Sequence, residues 1–572
     1  MPKSEQGQLL TPLPDALAEA RAAFEAHHWS AAVAGYEGQG GFAGLEPEDV
    51  QRLAWSLTWT GRPAAACLDA FERAEAAFQS VGDRRGASRG ALEQARIHAL
   101  VGNEVISAAC WARAMDYLQG DEECAEHGMA LALGAYARLL EADHEGARYL
   151  AGMALETGRR VNDRTVEAIA SYLLGHAAVM VGDVAAGLAL LDGALSIAMT
   201  GAVQPMYAGT IYCGLLWACR EMGDWRRAAQ WDTVATRWCE REAVVHFPAH
   251  LSAHRADLAR IQGKLEEAEQ AAQAAVAKAG DWNRDLLAWA HSLVGEARLV
   301  LGDLDGAGAA FSVAAELGYD PEPGHAQLLL IQGRPEAALR AIAGAIERPH
   351  WYAFSNLVYT LPIGVSIALA LGRLDAAALW CGQLDELARR YGTPGPRASA
   401  RVARGELELA EGRSGVAVEE LRLGAEEWLQ AGAPYLSARA RLTLARALGA
   451  NRDWDAARLE LEAARATFAR IGARHEEQQV RRLLHQKDTL PVGAMSLPRQ
   501  AASKEFQGVT PRQREVAALV ARGLTNGQIA KELFISRYTV ETHVKHILTQ
   551  LGFSSRAEIA AWATHKGLID RI

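Results

Sequence analysis

The sequence predicts an all-α protein, an α-solenoid of about twelve helical hairpins followed by a small four-helix domain of the helix-turn-helix type. Two observations predict this fold class. A short motif recurs about every forty residues through most of the chain, and a separate run of capped, amphipathic helices follows it. Repeats of this length are typical of supersecondary units that stack to share one continuous core.

The composition is that of an ordinary globular chain. Of its 572 residues, 50% are hydrophobic and 22% are charged, close to the average for soluble domains. The first fifteen residues lack the features of a signal peptide, and no run of eighteen apolar residues occurs. The seven cysteines form no C-x-x-C pair, and an odd count argues against a disulfide framework. We therefore expect a cytoplasmic protein with buried thiols and no membrane segment.

The net charge is unevenly distributed along the chain. Residues 504–572 carry ten lysines and arginines against six acidic residues, a net charge of +4. The whole chain has a net charge of −10, so residues 1–503 carry −14. Only the C-terminal segment therefore has a charge suited to a polyanion such as DNA.

The recurring motif is a turn residue, usually glycine, followed by an apolar residue two positions later and a small residue five positions later. From Gly61 onward the copies lie 39 to 41 residues apart, except for one spacing of 31 between Gly302 and Gly333. The clear copies begin at Gly61, Gly223, Gly263, Gly302, Gly333 and Gly372, and degraded copies begin at His27, Gly102, Ala142, Gly182, Gly412 and Arg452.

Each copy of the motif predicts one helical hairpin. Apolar residues at helical spacing precede and follow the glycine, which can end the first helix in a left-handed conformation. The small residue lets the second helix pack closely on the first. Because a lone hairpin cannot bury its apolar face, the units are expected to stack into a superhelix. We assign residues 1–485 to this solenoid.

The spacing of small and bulky residues within a unit resembles tetratricopeptide repeats. After Gly302, for example, Ala307, Phe311 and Ala314 stand at the positions where that family has a small, a bulky and a small residue. The family period is 34 residues, so a period near forty implies longer helices. In this respect the region is similar to the solenoids of large bacterial activators of the maltose-regulon type.

The short spacing before Gly333 predicts an irregular hairpin. The stretch LGYDPEPGHA contains two prolines, which end helices. The next unit is unusually aromatic, with His350, Trp351, Tyr352 and Phe354 close together. We interpret these side chains as core packing, and a ligand pocket is the alternative. The tryptophans Trp217, Trp225, Trp231 and Trp238 are likewise expected in the core.

Motifs for catalysis, cofactors and metals are absent from the sequence. The chain has no G-x-x-x-x-G-K-[ST] loop, no G-x-S-x-G elbow and no H-E-x-x-H helix. We therefore predict neither an enzyme nor a cofactor or metal site, unlike the maltose-type activators, which carry a nucleotide-binding module before the solenoid. His246, His250 and His254 are spaced by four residues, as a metal site on one helix face would require. Because Pro248 is expected to open the helix, we interpret the last two as neighbours on an exposed solenoid face.

Residues 486–508 break all periodicity and are interpreted as a linker, which leaves residues 509–572 as the last domain. Thr510 and Pro511 have the signature of a helix start, and Gly523 ends that helix. Thr525 is expected to cap a second helix through Leu533, and Ser536 a third. Two short helices joined by a few residues, the second of them basic, predict a helix-turn-helix.

The third helix of this domain has two distinct faces at 100° per residue. Its apolar stripe comprises Val540, Val544, Ile547, Leu548 and Leu551, and its opposite face comprises Tyr538, Thr542, Lys545 and Thr549, flanked by Glu541 and His546. Placed in a major groove, Lys545 could reach guanine acceptors or phosphate, Thr542 a thymine methyl group, and Glu541 a cytosine amino group.

The stretch from VTPRQREV to EIAAWA resembles the LuxR and NarL type of four-helix DNA-binding domain. The resemblance implies that Glu541, Thr542 and Lys545 face bases and that Ser536, Arg537, Thr539 and His543 lie near phosphates. Together with the helix geometry it predicts a base-facing set of Tyr538, Glu541, Thr542, Lys545 and Thr549, and a phosphate-facing set of Ser536, Arg537, Thr539, His543 and His546.

Further features follow from the same resemblance. Glu515 is expected to brace the domain internally, and the helix starting with the Ser555 to Glu558 capping box resembles the dimerisation helix of the family. Many members have lysine at the position of Glu541, a departure that bears on base preference and not on DNA binding.

These features predict a bacterial transcription regulator. Its solenoid would sense a protein or small-molecule effector and control a C-terminal domain that binds double-stranded DNA as a homodimer, with RNA polymerase as a further expected partner. The alternative is a scaffold whose C-terminal domain docks a transcription-machinery protein without reading DNA sequence.

Overall fold

The computed structural model describes residues 16–242, 247–279, 283–347, 357–486, 509, 511–533, 537–551, 553, 555–566 and 568. Within these residues it contains twenty-nine helices and no strand, so the predicted all-α class is confirmed. The chain divides into two compact units, Met1–Pro491 and Val492–Ile572. The finer domain limits at 485 and 509 stay predictions, because residues 487–508 lie outside the described part.

The first unit is built from twelve consecutive hairpins and a final single helix. Its first six hairpins are α1 (Ala16–Glu25) with α2 (Trp29–Gly38), α3 (Pro47–Trp59) with α4 (Ala64–Ser80), α5 (Arg84–Leu100) with α6 (Glu104–Tyr117), α7 (Ala125–Leu140) with α8 (His144–Arg160), α9 (Arg164–Val181) with α10 (Val184–Met199), and α11 (Pro205–Met222) with α12 (Trp225–Glu242).

The second half continues the same alternation. It consists of α13 (Phe247–Ile261) with α14 (Leu265–Ala279), α15 (Arg284–Leu301) with α16 (Leu304–Glu316), α17 (Gly324–Ile331) with α18 (Pro335–Glu347), α19 (Leu357–Ala370) with α20 (Leu374–Tyr391), α21 (Pro394–Ala410) with α22 (Ser414–Gln430), α23 (Pro434–Ala450) with α24 (Trp454–Ile471), and the single helix α25 (Arg474–Gln486). The repeat assignment is confirmed, including the shortened α17 in the predicted irregular hairpin.

Left-handed residues set the turn inside every hairpin. All twelve predicted turn positions have positive φ, from 58° at His27 to 97° at Gly182, including the non-glycine residues Ala142 and Arg452. A second series of left-handed glycines, which the sequence analysis did not predict, lies at the ends of second helices. It comprises Gly392, Gly432 and Gly472, spaced by forty residues.

An aspartate often follows the left-handed residue and caps the next helix. Asp143 and Asp303, for example, each accept a hydrogen bond from a backbone N–H three residues later at 2.9 Å. Two adjacent residues thus encode the end of the first helix and the start of the second helix of the hairpin.

The small residue of the motif is buried in ten of the twelve hairpins. The second hairpin is an exception, because α4 begins three residues after Gly61, and Cys67 takes the buried place expected for the exposed Ala66. In the third hairpin the half-buried Ser107 donates its hydroxyl hydrogen bond to the Ala95 carbonyl over 2.8 Å.

First helices of neighbouring hairpins contact one another, as α9 and α11 do, so they form the inner layer of a superhelix. Sixteen of the eighteen residues of α11 are buried. The four tryptophans Trp217, Trp225, Trp231 and Trp238 are all buried, which confirms them as core. All seven cysteines are free and buried, as the sequence predicts.

The superhelix also contacts itself across successive turns. Helix α13 contacts α23, and helix α15 contacts α25. Arg226 Nη2 donates to the Gln430 carbonyl over 3.3 Å, and Trp29 Nε1 to the Glu242 carbonyl over 3.2 Å. These pairs lie about 200 residues apart in sequence, and we call this set of contacts the seam. The solenoid is therefore more than a chain of nearest-neighbour interactions.

One sequence interpretation in the solenoid is wrong. His254 does not lie on an exposed face: it is 6% exposed, between the rings of Trp217 and Trp289 at centroid distances of 5.0 and 5.1 Å. His250 is half-buried, and its Nε2 lies 3.2 Å from Asn283 Nδ2. First helices are covered on both sides by neighbouring hairpins, and eleven of the fifteen residues of α13 are buried, His254 among them. His246 and the aromatic group of His350, Trp351, Tyr352 and Phe354 lie outside the described residues.

No helix in the described part of the chain combines the length and the apolar character needed to cross a bilayer. Across the same residues, no group of three histidine, cysteine or acidic side chains is arranged to hold a metal ion.

Candidate nucleic-acid interface

The second unit contains a four-helix domain with its own core. Its helices are α26 (Pro511–Ala521), α27 (Asn526–Glu532), α28 (Arg537–Leu551) and α29 (Arg556–His565). All four contribute to one hydrophobic cluster, which includes Val516, Leu519, Ile529, Val540, Ile547, Ile559 and Trp562. The members of this cluster that the structure describes all lie between Val509 and Leu568.

Local capping positions α27 and α29 as the sequence predicts. Thr525 and Gln528 form a capping box: Thr525 N donates to Gln528 Oε1 at 2.8 Å, and Gln528 N donates to Thr525 Oγ1 at 3.4 Å. Ser555 N donates to Glu558 Oε2 at 3.1 Å at the start of α29. Gly523, with φ of 82°, ends the α26 segment. Thr510 and Ser536, the other two predicted caps, lie outside the described residues.

Arg556 links the last helix to the turn before α27, a role that the sequence analysis missed. Its Nη2 donates to the Leu524 carbonyl and its Nη1 to Asn526 Oδ1, both at 2.6 Å. The two partners precede Arg556 by about thirty residues, and no local pattern signals such a contact. Both guanidinium bonds tie α29 to the turn that joins α26 to α27.

The apolar stripe of α28 is buried as predicted. Val540 and Ile547 are fully covered, Val544 is 9% exposed, and Leu548 and Leu551 pack against the same cluster. Their burial leaves the other side of α28 facing away from the domain core.

Four side chains of α28 at steps of four residues are exposed: Arg537, Glu541, Lys545 and Thr549. The Arg537 Nε and Glu541 Oε1 atoms form an ion pair at 3.1 Å. The Thr549 hydroxyl donates to the Lys545 backbone carbonyl at 2.9 Å. We call this set the exposed stripe of α28.

The remaining predicted contact residues are less fully defined. His546 is exposed and His543 is half-buried. Tyr538, Thr539 and Thr542 belong to α28, but their side chains, like the whole of Ser536, fall outside the described part. Glu515, the expected internal brace, is half-buried in α26. Of the predicted contact residues on α28, the structure thus shows Arg537, Glu541, Lys545, His546 and Thr549 as exposed.

This arrangement, two successive helices, α27 and α28, that contact each other, with exposed polar side chains on the second, is that of a helix-turn-helix. Residues 507–563 match the family model described as bacterial regulatory proteins, luxR family. The C-terminal domain is a LuxR-family helix-turn-helix domain.

Relatives in curated proteins match the same part of the chain. The nitrate/nitrite response regulator protein NarL of Escherichia coli (strain K12) is 42% identical over 74 residues, which are 13% of this chain and 34% of that protein. The oxygen regulatory protein NreC of Staphylococcus aureus (strain MRSA252) is 40% identical over 68 residues, 12% of this chain and 31% of that protein. The chain thus spans about a third of the length of these relatives.

Two solved structures are similar to most of the chain at low sequence identity. A Rap protein complexed with competence and sporulation factor is 13% identical with a TM-score of 0.39, covering 66% of this chain and 98% of that one. Cut9 in the APC/C hetero-tetramer Cut9–Hcn1 is 12% identical with a TM-score of 0.34, covering 81% and 95%.

Proposed function

We propose that the protein is a sequence-specific transcription regulator whose helical-repeat region responds to an effector and controls the C-terminal domain. The observation that carries the DNA-reading part is the exposed stripe of α28. Its side chains differ in hydrogen-bonding character, with a carboxylate, an ammonium group and a hydroxyl group, as base discrimination in a major groove requires.

We assign base contacts to Glu541, Lys545 and Thr549, and phosphate contacts to Arg537 and His546. Tyr538 and Thr542 remain proposed base contacts, and Ser536, Thr539 and His543 proposed phosphate contacts, on the family resemblance and helix position alone. The ion pair between Arg537 and Glu541 is exposed and contributes only about 0.3–0.5 kcal/mol. DNA can therefore redirect both side chains at little cost.

The regulatory part of the proposal rests on architecture. A solenoid offers an extended inner surface to a protein or small molecule, and it occupies most of the chain ahead of a domain of about sixty residues. The expected partners are double-stranded DNA, a second copy of the chain on DNA, and RNA polymerase.

A footprint on genomic DNA tests the function. Protected sites that share a sequence would support the regulator, whereas uniform protection together with tight binding of a polymerase subunit would support the alternative scaffold. The fragment 509–572 provides a second test, because it contains every described member of its core cluster. Its affinity for a footprinted site should fall with added salt, with a log–log slope near −0.9 for each phosphate contacted. An affinity indifferent to salt would contradict the phosphate assignments.

A further inference from the structure

Glu541 is the only acidic residue of α28, whose sequence RYTVETHVKHILTQL is otherwise basic or neutral. Its side chain is 47% exposed. Because the DNA backbone repels a carboxylate and attracts lysine and arginine, an exposed glutamate on this helix opposes binding wherever it meets no hydrogen-bond donor. Its presence among basic residues therefore points to one particular contact on DNA.

Two cationic side chains lie one helical turn before and after Glu541. Arg537 precedes it by four residues and Lys545 follows it by four, and residues at this spacing are neighbours on a helix. Arg537 Nε lies 3.1 Å from Glu541 Oε1, and no ion pair joins Glu541 to Lys545 in the described part of the chain. The carboxylate is thus held toward the N-terminal end of α28, the end of a recognition helix that contacts base edges.

The hydrogen-bonding chemistry of Glu541 restricts the base that it can face. An ionised carboxylate only accepts hydrogen bonds, and the donors in the major groove are the amino groups of cytosine and adenine. In adenine the amino group lies beside the N7 acceptor, which repels the second carboxylate oxygen, whereas cytosine carries no acceptor beside its amino group. Guanine and thymine offer acceptors only, so facing them would leave a desolvated carboxylate unpaired, at a high cost.

The Arg537 side chain can hold this carboxylate and still contact the backbone. A guanidinium group has five N–H donors, and the Arg537 side chain is 76% exposed, so a phosphate can approach it while Nε stays on Glu541. The ion pair is weak in water, but it strengthens where DNA excludes water and the dielectric falls. Holding Glu541 in place also reduces the side-chain entropy lost on binding.

We propose that Glu541 makes the protein require a cytosine at the base that this side chain faces, and that Arg537 is the positioning residue that holds the carboxylate on the cytosine amino group. This inference rests on the proposed function, since it places α28 in a major groove. It adds the identity of one base and a second role for Arg537 besides its phosphate contact.

Selection of bound sequences from a random double-stranded DNA library by the full chain tests the role of Glu541. Glu541→Lys should select guanine at the single position where the wild type selects cytosine, because lysine donates to guanine O6 and N7. In the selected site, that cytosine is then replaced by 2-pyrimidinone, which lacks the amino group. The replacement should weaken wild-type binding at least tenfold and leave the affinity of Glu541→Ala nearly unchanged.

Two substitutions of Arg537 test its positioning role. Arg537→Ala should reduce the preference for cytosine at this position at least threefold, in addition to any loss of affinity shared by all sequences. Arg537→Lys should restore part of the preference, since an ammonium group can still pair with Glu541. Lys531→Ala, at an exposed lysine of α27, is the matched control and should leave the preference unchanged.

The role of Glu541 is overturned if wild-type protein binds the 2-pyrimidinone site as tightly as the cytosine site, or if Glu541→Lys selects the same base. The role of Arg537 is overturned if Arg537→Ala weakens binding to all sequences equally, as loss of a phosphate contact alone would. A selected site that does not depend on Glu541 would keep the proposed function and remove this inference. A library that yields no enriched sequence would contradict the proposed function itself.

Discussion

Lys545 and Val544 are adjacent on α28 but differ in burial. Lys545 is exposed and Val544 is 9% exposed in the domain core. Lys545→Ala should leave the melting temperature of fragment 509–572 nearly unchanged, because the side chain packs against nothing in the apolar cluster. It should weaken DNA binding by about 1–3 kcal/mol if Lys545 contacts a guanine, with relaxed preference at one base pair.

Val544→Ala is the matched control for that experiment. It should lower the free energy of unfolding by about 1–3 kcal/mol, as measured by chemical denaturation. If Lys545→Ala bound DNA like the wild type while Val544→Ala left stability intact, the proposed orientation of α28 would be wrong.

Arg556 supplies a second residue-scale prediction. Arg556→Ala removes both bonds to the turn before α27 and should destabilise the domain by about 1–3 kcal/mol, since it leaves a carbonyl and an amide without their partner. Arg522→Ala, at an exposed arginine just after α26, should change stability by less than about 0.5 kcal/mol. Equal melting temperatures for the two variants would show that the Arg556 contacts contribute nothing.

Two glycines of the single helix α10 differ in their surroundings: one is closely packed against the neighbouring helix and the other is not. A Cβ on Gly187, the small residue five after Gly182, would lie 2.7 Å from the Gly175 carbonyl oxygen and 2.7 Å from Val179 Cγ2. At Gly193 on the same helix a Cβ would meet nothing within 4 Å. The repeat motif thus uses glycine at the first site to bring the two helices together.

We therefore expect opposite effects of the same substitution within α10. Gly193→Ala should stabilise the protein by up to about 1 kcal/mol, because alanine loses less conformational entropy in a helix. Gly187→Ala should destabilise it by about 1–3 kcal/mol, because the helices must separate. Chemical unfolding of both variants measures this, and the same sign for both would contradict the packing role of the motif.

The seam makes a prediction at the scale of the whole solenoid. Ile471 lies at the end of α24 and is 6% exposed. It packs against the turn between α13 and α14, where a Cβ added to Gly263 would be 2.8 Å from Ile471 Cδ1. Ile471→Ala should lower stability by about 2–5 kcal/mol. It should also reduce hydrogen-exchange protection in α13 and α14, about 200 residues away.

Leu461→Ala provides the comparison, because Leu461 is 2% exposed at the bulky position of the same hairpin. Leu461→Ala should lower the free energy of unfolding by a similar amount. Hydrogen-exchange protection in α13 and α14 should nevertheless stay higher than in the Ile471→Ala variant. Equal protection in the two variants would mean that the seam carries no coupling, and the solenoid would then behave as a linear array of nearest neighbours.

Much of this molecule follows from signals that act over a few residues. The left-handed turn residues, the Thr525 cap, the Ser555 capping box, the irregular hairpin at Gly333 and the buried stripe of α28 were all predicted, because helix ends and helix faces depend on neighbours within about four positions. The forty-residue period extends these local signals to the architecture, since similar hairpins can bury their apolar faces only by stacking.

Only the tertiary structure decided which distant residues meet. The packing of His254 between Trp217 and Trp289, the buried ion pair of Arg220 with Asp257, the two bonds of Arg556 and the seam each join residues that lie about thirty to 200 positions apart. Such contacts depend on the pitch of the superhelix, which is the sum of many small rotations between hairpins. A small change at one turn, such as the shifted start of α4 after Gly61, alters that sum while leaving the local patterns elsewhere intact, so the partners emerge only when the whole chain is folded.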